Sequence, residues 1–179
     1  HAPMNEIALQ NILYTAQLGL KSPSAIRYPR GRGVIADWQA QYLGKYEEIT
    51  IGKSVCLKEG SKVAVLSNGT IGNNVTLAIA KIKDPKSIAH YDFPFVKPLD
   101  ENTLHQIFKQ FENIITIEDG VIKGGFGSAI LEFASENDYT SKITVFGIPD
   151  EFIEHGTIAE LQQYCKIDVK SLEIFFSNY

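Results

Sequence analysis

The segment Arg27-Tyr28-Pro29-Arg30-Gly31-Arg32-Gly33 gathers three arginines around one proline and two glycines. A guanidinium is planar and offers two parallel charge-assisted hydrogen bonds, a geometry that matches a phosphate. Proline fixes the chain and glycine lets it turn tightly, so such a loop could grip a phosphate beyond a strand end. A basic turn facing solvent is the competing reading, and the residue types alone favour it slightly. No Gly-Lys-Ser or Gly-Lys-Thr follows, so this is not a P-loop.

A second group lies at Ile115 to Ile130. Beta-branched Ile115 to Ile117 read as a buried strand, with Glu118-Asp119-Gly120 at its carboxyl end and Gly124-Gly125-Phe126-Gly127 opening a helix from Ser128 to about Ala134. Glu118 and Asp119 have the types of a general acid and base, but neighbours on a strand point to opposite faces. One of them is therefore expected to cap a helix or pair across an interface. Gly124 to Gly127 lacks the full G-x-G-x-x-G spacing of a dinucleotide fold, and close backbone packing explains Gly124 and Gly125 better. His155 could carry a proton near neutral pH, yet no Ser or Cys nucleophile stands at a recognisable spacing, which favours a loop or interface histidine. His90, on a strand, is a core or crevice residue, and His105 is expected on an exposed helix face.

These residues must be positioned by a scaffold. The 179 residues carry a net charge of -4 with pI near 5.6, which argues against a nucleic-acid or acidic-membrane binder. No run of about 18 apolar residues is present to span a membrane, and the N-terminus has no signal-peptide pattern. His1 in place of an initiator Met points to a processed chain or an excised fragment. Cys56 and Cys165 sit among apolar neighbours and are expected to be buried thiols in a reducing cytoplasm. No CxxC or HExxH spacing offers a metal site.

Asn5 can cap a helix with Leu9, Ile12, Leu13 and Ala16 on one face. Ser24 to Tyr28 then reads as a short strand, so residues 1–33 look like the last helix and strand of a domain that begins earlier. Residues 34–48 show no sustained period and form a linker packed on a surface. From residue 49 to 179 strands and helices alternate, with strands at Glu48 to Lys58, Lys62 to Leu66, Ile88 to Phe93, Ile115 to Ile117 and Lys142 to Phe146. Helices are expected after Thr70, after Asp100, after Gly127, after Thr157, and from Val169 to Phe176. That alternation predicts a mostly parallel sheet covered on both faces. The turn at Glu59-Gly60-Ser61 makes the first strand an antiparallel edge, giving a five-stranded mixed sheet.

Four motifs in one order carry a resemblance: Arg27-Tyr28-Pro29-Arg30-Gly31, Phe95 to Asp100 (FVKPLD), Glu118-Asp119-Gly120 with Gly124 to Ser128, and Gly147-Ile148-Pro149-Asp150 with Glu154-His155-Gly156-Thr157. Together, and over the whole chain, they resemble the C-terminal part of the 1-deoxy-D-xylulose-5-phosphate synthase family, thiamine-diphosphate enzymes of the transketolase superfamily. The resemblance implies a three-layer α/β/α transketolase C-terminal-like domain (49–179), preceded by the tail of a pyrimidine-binding domain (1–33) and a linker (34–48). It implies a cytoplasmic homodimeric parent that condenses pyruvate with D-glyceraldehyde 3-phosphate, losing CO2, to supply isoprenoid, thiamine and pyridoxal synthesis. Thiamine diphosphate and Mg2+ would be held by domains this chain lacks, and none is expected on the fragment, which should be inactive alone. Arg30 would grip the acceptor phosphate and Arg27 would support it or help hold the interface, while Glu118, Asp119, Gly124, Gly125 and His155 would serve packing and interface roles. The last domains of transketolase and of 2-oxoacid dehydrogenase beta subunits share this fold, and a stand-alone interaction module is the contrasting reading.

Overall fold

The computed structural model describes residues 1–29, 31 and 33–179. Five strands form one sheet in the order β1-β3-β2-β4-β5: β1 (Val55–Lys58), β2 (Val63–Asn68), β3 (Ile88–Asp92), β4 (Asn113–Val121) and β5 (Lys142–Ile148). The pairs β2·β3, β2·β4 and β4·β5 are parallel, and β1 runs antiparallel to β3. The mixed, mostly parallel sheet and the antiparallel edge are as the sequence leads one to expect. The partner of β1 is not the strand that follows it, however. Gly60 packs against the Ile88–Ala89 backbone, where a Cβ would come within 2.1 Å, so the chain after β1 passes beside the start of β3 and enters β2 one strand further in. β1 also starts at Val55, later than expected, because residues 51 and 52 form a turn.

Strand alternation divides the core in two. Val63, Val65, Ile88, Ile115 and Ile117 face α3 (Gly72–Ile79) and α7 (Val169–Phe176), burying Val75, Ala78, Leu172 and Phe176. Ala64, Leu66, Ala89, Tyr91 and Ile114 face α4 (Glu101–Gln110) and α5 (Phe126–Glu136), burying Leu104, Ile107, Ile130 and Phe133. The result is a helix–sheet–helix sandwich. Its helix starts are capped as sequence implies. Asp100 accepts from Thr103 N–H at α4, and Thr157 and Glu160 form a reciprocal capping box at α6 (Ile158–Tyr164).

The first 50 residues differ more from expectation. α1 (Glu6–Gln17) is capped by Asn5, but its buried positions include Gln10, Asn11 and Thr15, while Leu13 is exposed. These polar side chains hold the segment after residue 34 by its backbone. Gln10 Nε2 donates to the carbonyls of Tyr42 and Lys45, Asn11 Oδ1 accepts from Glu47 N–H, and Thr15 Oγ1 accepts from Ile49 N–H. That segment contains a short helix, α2 (Trp38–Tyr42). Ser24 to Tyr28 is extended but forms no strand. Its backbone partner is His1, which receives Arg27 N–H and donates its amine to Ala25. Cys56 is exposed because β1 is an edge strand with little covering it, and Cys165 is half-buried; both are free thiols. His105 is half-buried rather than exposed, since its Nδ1 meets Tyr139 Oη at 2.8 Å and its ring packs on Phe133.

Candidate functional site

The strand order places the topological switch point between β2 and β4, where the connections leave in opposite directions and α/β sheets open a crevice. Gly69 and Thr70 follow β2 there, and Asp119 lies near the end of β4. The crevice is already taken. Ala2 and Pro3 enter it from one side and Arg27, Tyr28 and Pro29 from the other, leaving about 30 Å³. A cavity of that size holds on the order of one or two waters, about ten times less than an ordinary ligand pocket.

The N-terminal residues are fixed firmly in this position. Ala2 N–H donates to Pro94 O, Asn73 Nδ2 donates to Met4 O, and Ala2 and Met4 are buried. Gly69 has a φ of +83°, and a Cβ on it would sit 3.3 Å from the Ala2 methyl. Arg27 reaches across from the first unit to donate a guanidinium N–H to the backbone carbonyl of Asp119. The structure thus brings Arg27 and Asp119 together, through the main chain of the aspartate. Arg30 and Arg32 lie outside the described residues. The described residues next to them in sequence have defined neighbours. Gly31 packs beside Ile158 at the start of α6, and beyond Gly33 the Ile35 N–H donates to both oxygens of Glu6, at 3.2 and 3.3 Å. A side chain at Gly33 would collide with that carboxylate, so Glu6 and Gly33 are matched.

Glu118 and Asp119 do point to opposite faces. Glu118 is 4% exposed, and its two oxygens accept the N–H groups of Phe126 and Gly127 at 2.9 and 2.8 Å. It caps α5 from a neighbouring strand, filling the place where a free anion would otherwise bind a helix N-terminus. The glycines make that contact possible. A Cβ on Gly125 would lie 2.3 Å from Glu118 Oε2, and one on Gly127 2.5 Å from Val145 Cγ1. Gly124 adopts φ +74° and donates its N–H to Ser128 Oγ. Of the acid–base and capping readings of this pair, the cap is the one that Glu118 fulfils. His155 is exposed in the loop before α6, and no hydrogen bond joins it to the crevice among the described residues.

Three further His and Asp side chains are buried: His90 and Asp100 stand out in the sequence, as a core or crevice histidine and a helix cap, and Asp92 does not. His90 is 1% exposed, with Nε2 2.8 Å from Ser67 Oγ and Nδ1 3.3 Å from Thr76 Oγ1. Burial, and then the charge of Lys58, push its pKa down to about 4, so it is a neutral core residue. Asp100 feels burial pushing its pKa up, but hydrogen bonds from Ser54, Lys53 and Thr103 prevail and hold it at about 2. Asp92 has no such partners, and burial raises its pKa to about 7. Only its place in an otherwise apolar strand end, between Tyr91 and Phe93, hints at this in the sequence.

The described residues of this chain do not fit thiamine diphosphate with Mg2+. Among the described residues no cluster of three His, Cys, Asp or Glu could hold a metal ion, and the α5 N-terminus is closed to a diphosphate by Glu118. Among the described residues no helix is long and apolar enough to cross a membrane.

Comparisons with known proteins agree with this architecture. The family described as "Transketolase, C-terminal domain" matches residues 52–172. A 1-deoxy-D-xylulose-5-phosphate synthase of Bacteroides thetaiotaomicron is 51% identical over 173 residues, covering 96% of this chain and 26% of that protein. The synthase of Cytophaga hutchinsonii is 50% identical over 173 residues, with 96% and 27% covered. The chain therefore spans about a quarter of the length of the curated relatives it matches. Among solved structures, "Split gene transketolase, inactive beta4 tetramer" superposes with a TM-score of 0.79 at 21% identity, covering 97% of this chain and 55% of that one. The transketolase of Campylobacter jejuni gives a TM-score of 0.60 at 16% identity, with 99% and 26% covered. These two share the fold. With sheet order, helix layers and family match in agreement, the chain belongs to the transketolase C-terminal domain family.

Proposed function

We propose that this chain is the C-terminal part of a 1-deoxy-D-xylulose-5-phosphate synthase, serving a parent that joins pyruvate to D-glyceraldehyde 3-phosphate with loss of CO2. The observation that carries this reading is the 51% identity to a protein of that name over nearly the whole chain. Identities of 16 and 21% to transketolase structures make the synthase the better choice within the superfamily. In this reading residues 1–33 end the pyrimidine-binding domain, 34–48 link, and 49–179 form the third domain.

In this reading the chain contributes a phosphate contact and packing, and the carbanion chemistry lies elsewhere in the parent. Arg30 grips the phosphate of the acceptor aldehyde, and the Arg27–Asp119 and Glu6–Ile35 contacts hold described residues near it in sequence. Arg27 acts as a brace between the units, and Asp119 offers its carbonyl to that brace. Glu118, Gly124 and Gly125 build the start of α5, and His155 belongs to an interface loop. Thiamine diphosphate and Mg2+, which supply the carbanion chemistry, are held by the other domains of the parent, a cytoplasmic homodimer.

The test compares the parent enzyme with this chain for CO2 release from pyruvate. The reading expects turnover by the parent and none by the isolated chain. In the parent, Arg30→Ala should raise KM for D-glyceraldehyde 3-phosphate while leaving KM for pyruvate in place. Decarboxylation by the purified chain would contradict the division of labour.

A further inference from the structure

A second and larger cleft, of about 450 Å³, lies between α1 and the paired ends of β1 and β3. That volume is within the range of small-ligand pockets, about 300–1,000 Å³. Its walls are largely apolar, with Ile7, Ile49, Val55 and Phe95 among them. One carboxyl group faces this space. Asp92 is 7% exposed, and its Oδ1 is buried with no hydrogen-bond partner among the described residues. Lys53 also lines the cleft, but its Nζ is engaged 3.1 Å from Asp100 Oδ1.

A buried carboxylate without a partner is costly, and such groups are normally paired or heavily hydrogen-bonded. Asp100, eight residues further along, shows the ordinary solution, with three neighbouring residues supplying donors. Asp92 lacks any of these, while the space beside it is roomy and mostly hydrophobic. The complementary group is a charged nitrogen donor on an apolar body.

We propose that this cleft binds a cationic nitrogen, ammonium or amidinium-like, on an apolar stem, with the Asp92 carboxylate accepting its hydrogen bonds. Two sources share that chemistry: a free small amine, and a lysine or arginine side chain from the longer parent polypeptide. The second source alone rests on the parent reading above.

The probe is benzamidine, with benzyl alcohol as a neutral ring of similar size, titrated into the 179-residue chain and followed by calorimetry and amide chemical shifts. Benzamidine should bind saturably and at least about tenfold more tightly than benzyl alcohol, as expected for a charged hydrogen bond. Asp92→Asn should remove that preference. Ala8→Trp, which fills the cleft from the α1 side, should block the probe as well. Equal binding of the two compounds, or unchanged benzamidine affinity in Asp92→Asn, overturns the proposal and leaves a water-filled cleft. In the parent enzyme, retained benzamidine binding identifies a free ligand. Loss of probe binding there, with Asp92→Asn destabilising the parent, identifies a side chain of the parent. Loss without destabilisation overturns the proposal in the assembled enzyme.

Discussion

His90 and Asp92 stand two residues apart on the same face of β3 and respond to acid in opposite senses. His90 falls from 6.5 to about 4, so the fold resists its protonation. Its contribution is complete above pH 6.5 and is lost as pH falls toward 4. Asp92 rises from 3.8 to about 7, so the fold resists its ionisation. Its contribution is complete below pH 3.8 and is lost as pH rises through 7. At about 1.36 kcal/mol per unit, the histidine is worth roughly 3 kcal/mol over its window and the aspartate roughly 4 kcal/mol. Over pH 4 to 6.5 the two slopes nearly cancel in the wild-type chain. Removing either one should expose the other. Urea unfolding followed by circular dichroism, at half-unit pH steps from 4 to 8, gives the stability difference between each variant and wild type. Asp92→Asn should gain on wild type as pH rises, and His90→Gln should gain on wild type as pH falls. Differences that stay flat across the range would refute the assignment of both groups as buried, shifted residues.

Further consequences follow from single contacts. Glu118→Ala removes both acceptors at the start of α5 and should cost about 1–3 kcal/mol, read as a lower urea midpoint with an unchanged slope. Gly125→Ala places a methyl against Glu118 and the Val121 carbonyl and should destabilise by a similar amount, whereas Gly19→Ala, with open space around it, should be affected only through its positive φ. Asp100→Asn loses a carboxylate held near pKa 2, and its cost should shrink as pH falls from about 4, where the unfolded chain protonates this group, toward 2, where the folded one does. Arg27→Ala should loosen the first unit from the sheet, seen as faster amide exchange in residues 1–29 with little change in the sheet itself.

The sheet was legible because its signals are local. Val63 to Leu66 is an unbroken apolar run, Ile114 to Ile117 is β-branched throughout, and Asp100 and Thr157 stand one residue before their helices. The partner of β1 was not legible, since pairing with β3 is set by a close Gly60 approach to residues nearly 30 positions away. The face of α1 was misread for a related reason. Gln10, Asn11 and Thr15 look like solvent residues until the backbone of residues 42–49 arrives to use them. At the crevice, the choice for Glu118 between catalysis and capping turned on two N–H groups eight and nine residues later, a contact that only the strand–loop–helix geometry creates. The Arg27 brace depends on a main-chain carbonyl and leaves no mark in residue types at all.

In the proposed function this part of the chain contributes one substrate contact, a phosphate grip at Arg30, to chemistry housed elsewhere in the parent. The direct measurement is steady-state kinetics of the parent enzyme carrying Arg30→Ala, varying each substrate in turn. Loss of a charge-assisted contact predicts a rise of about 10- to 100-fold in KM for D-glyceraldehyde 3-phosphate, with KM for pyruvate unchanged. An unchanged KM for the phosphorylated aldehyde, or an equal rise for both substrates, would contradict the claim.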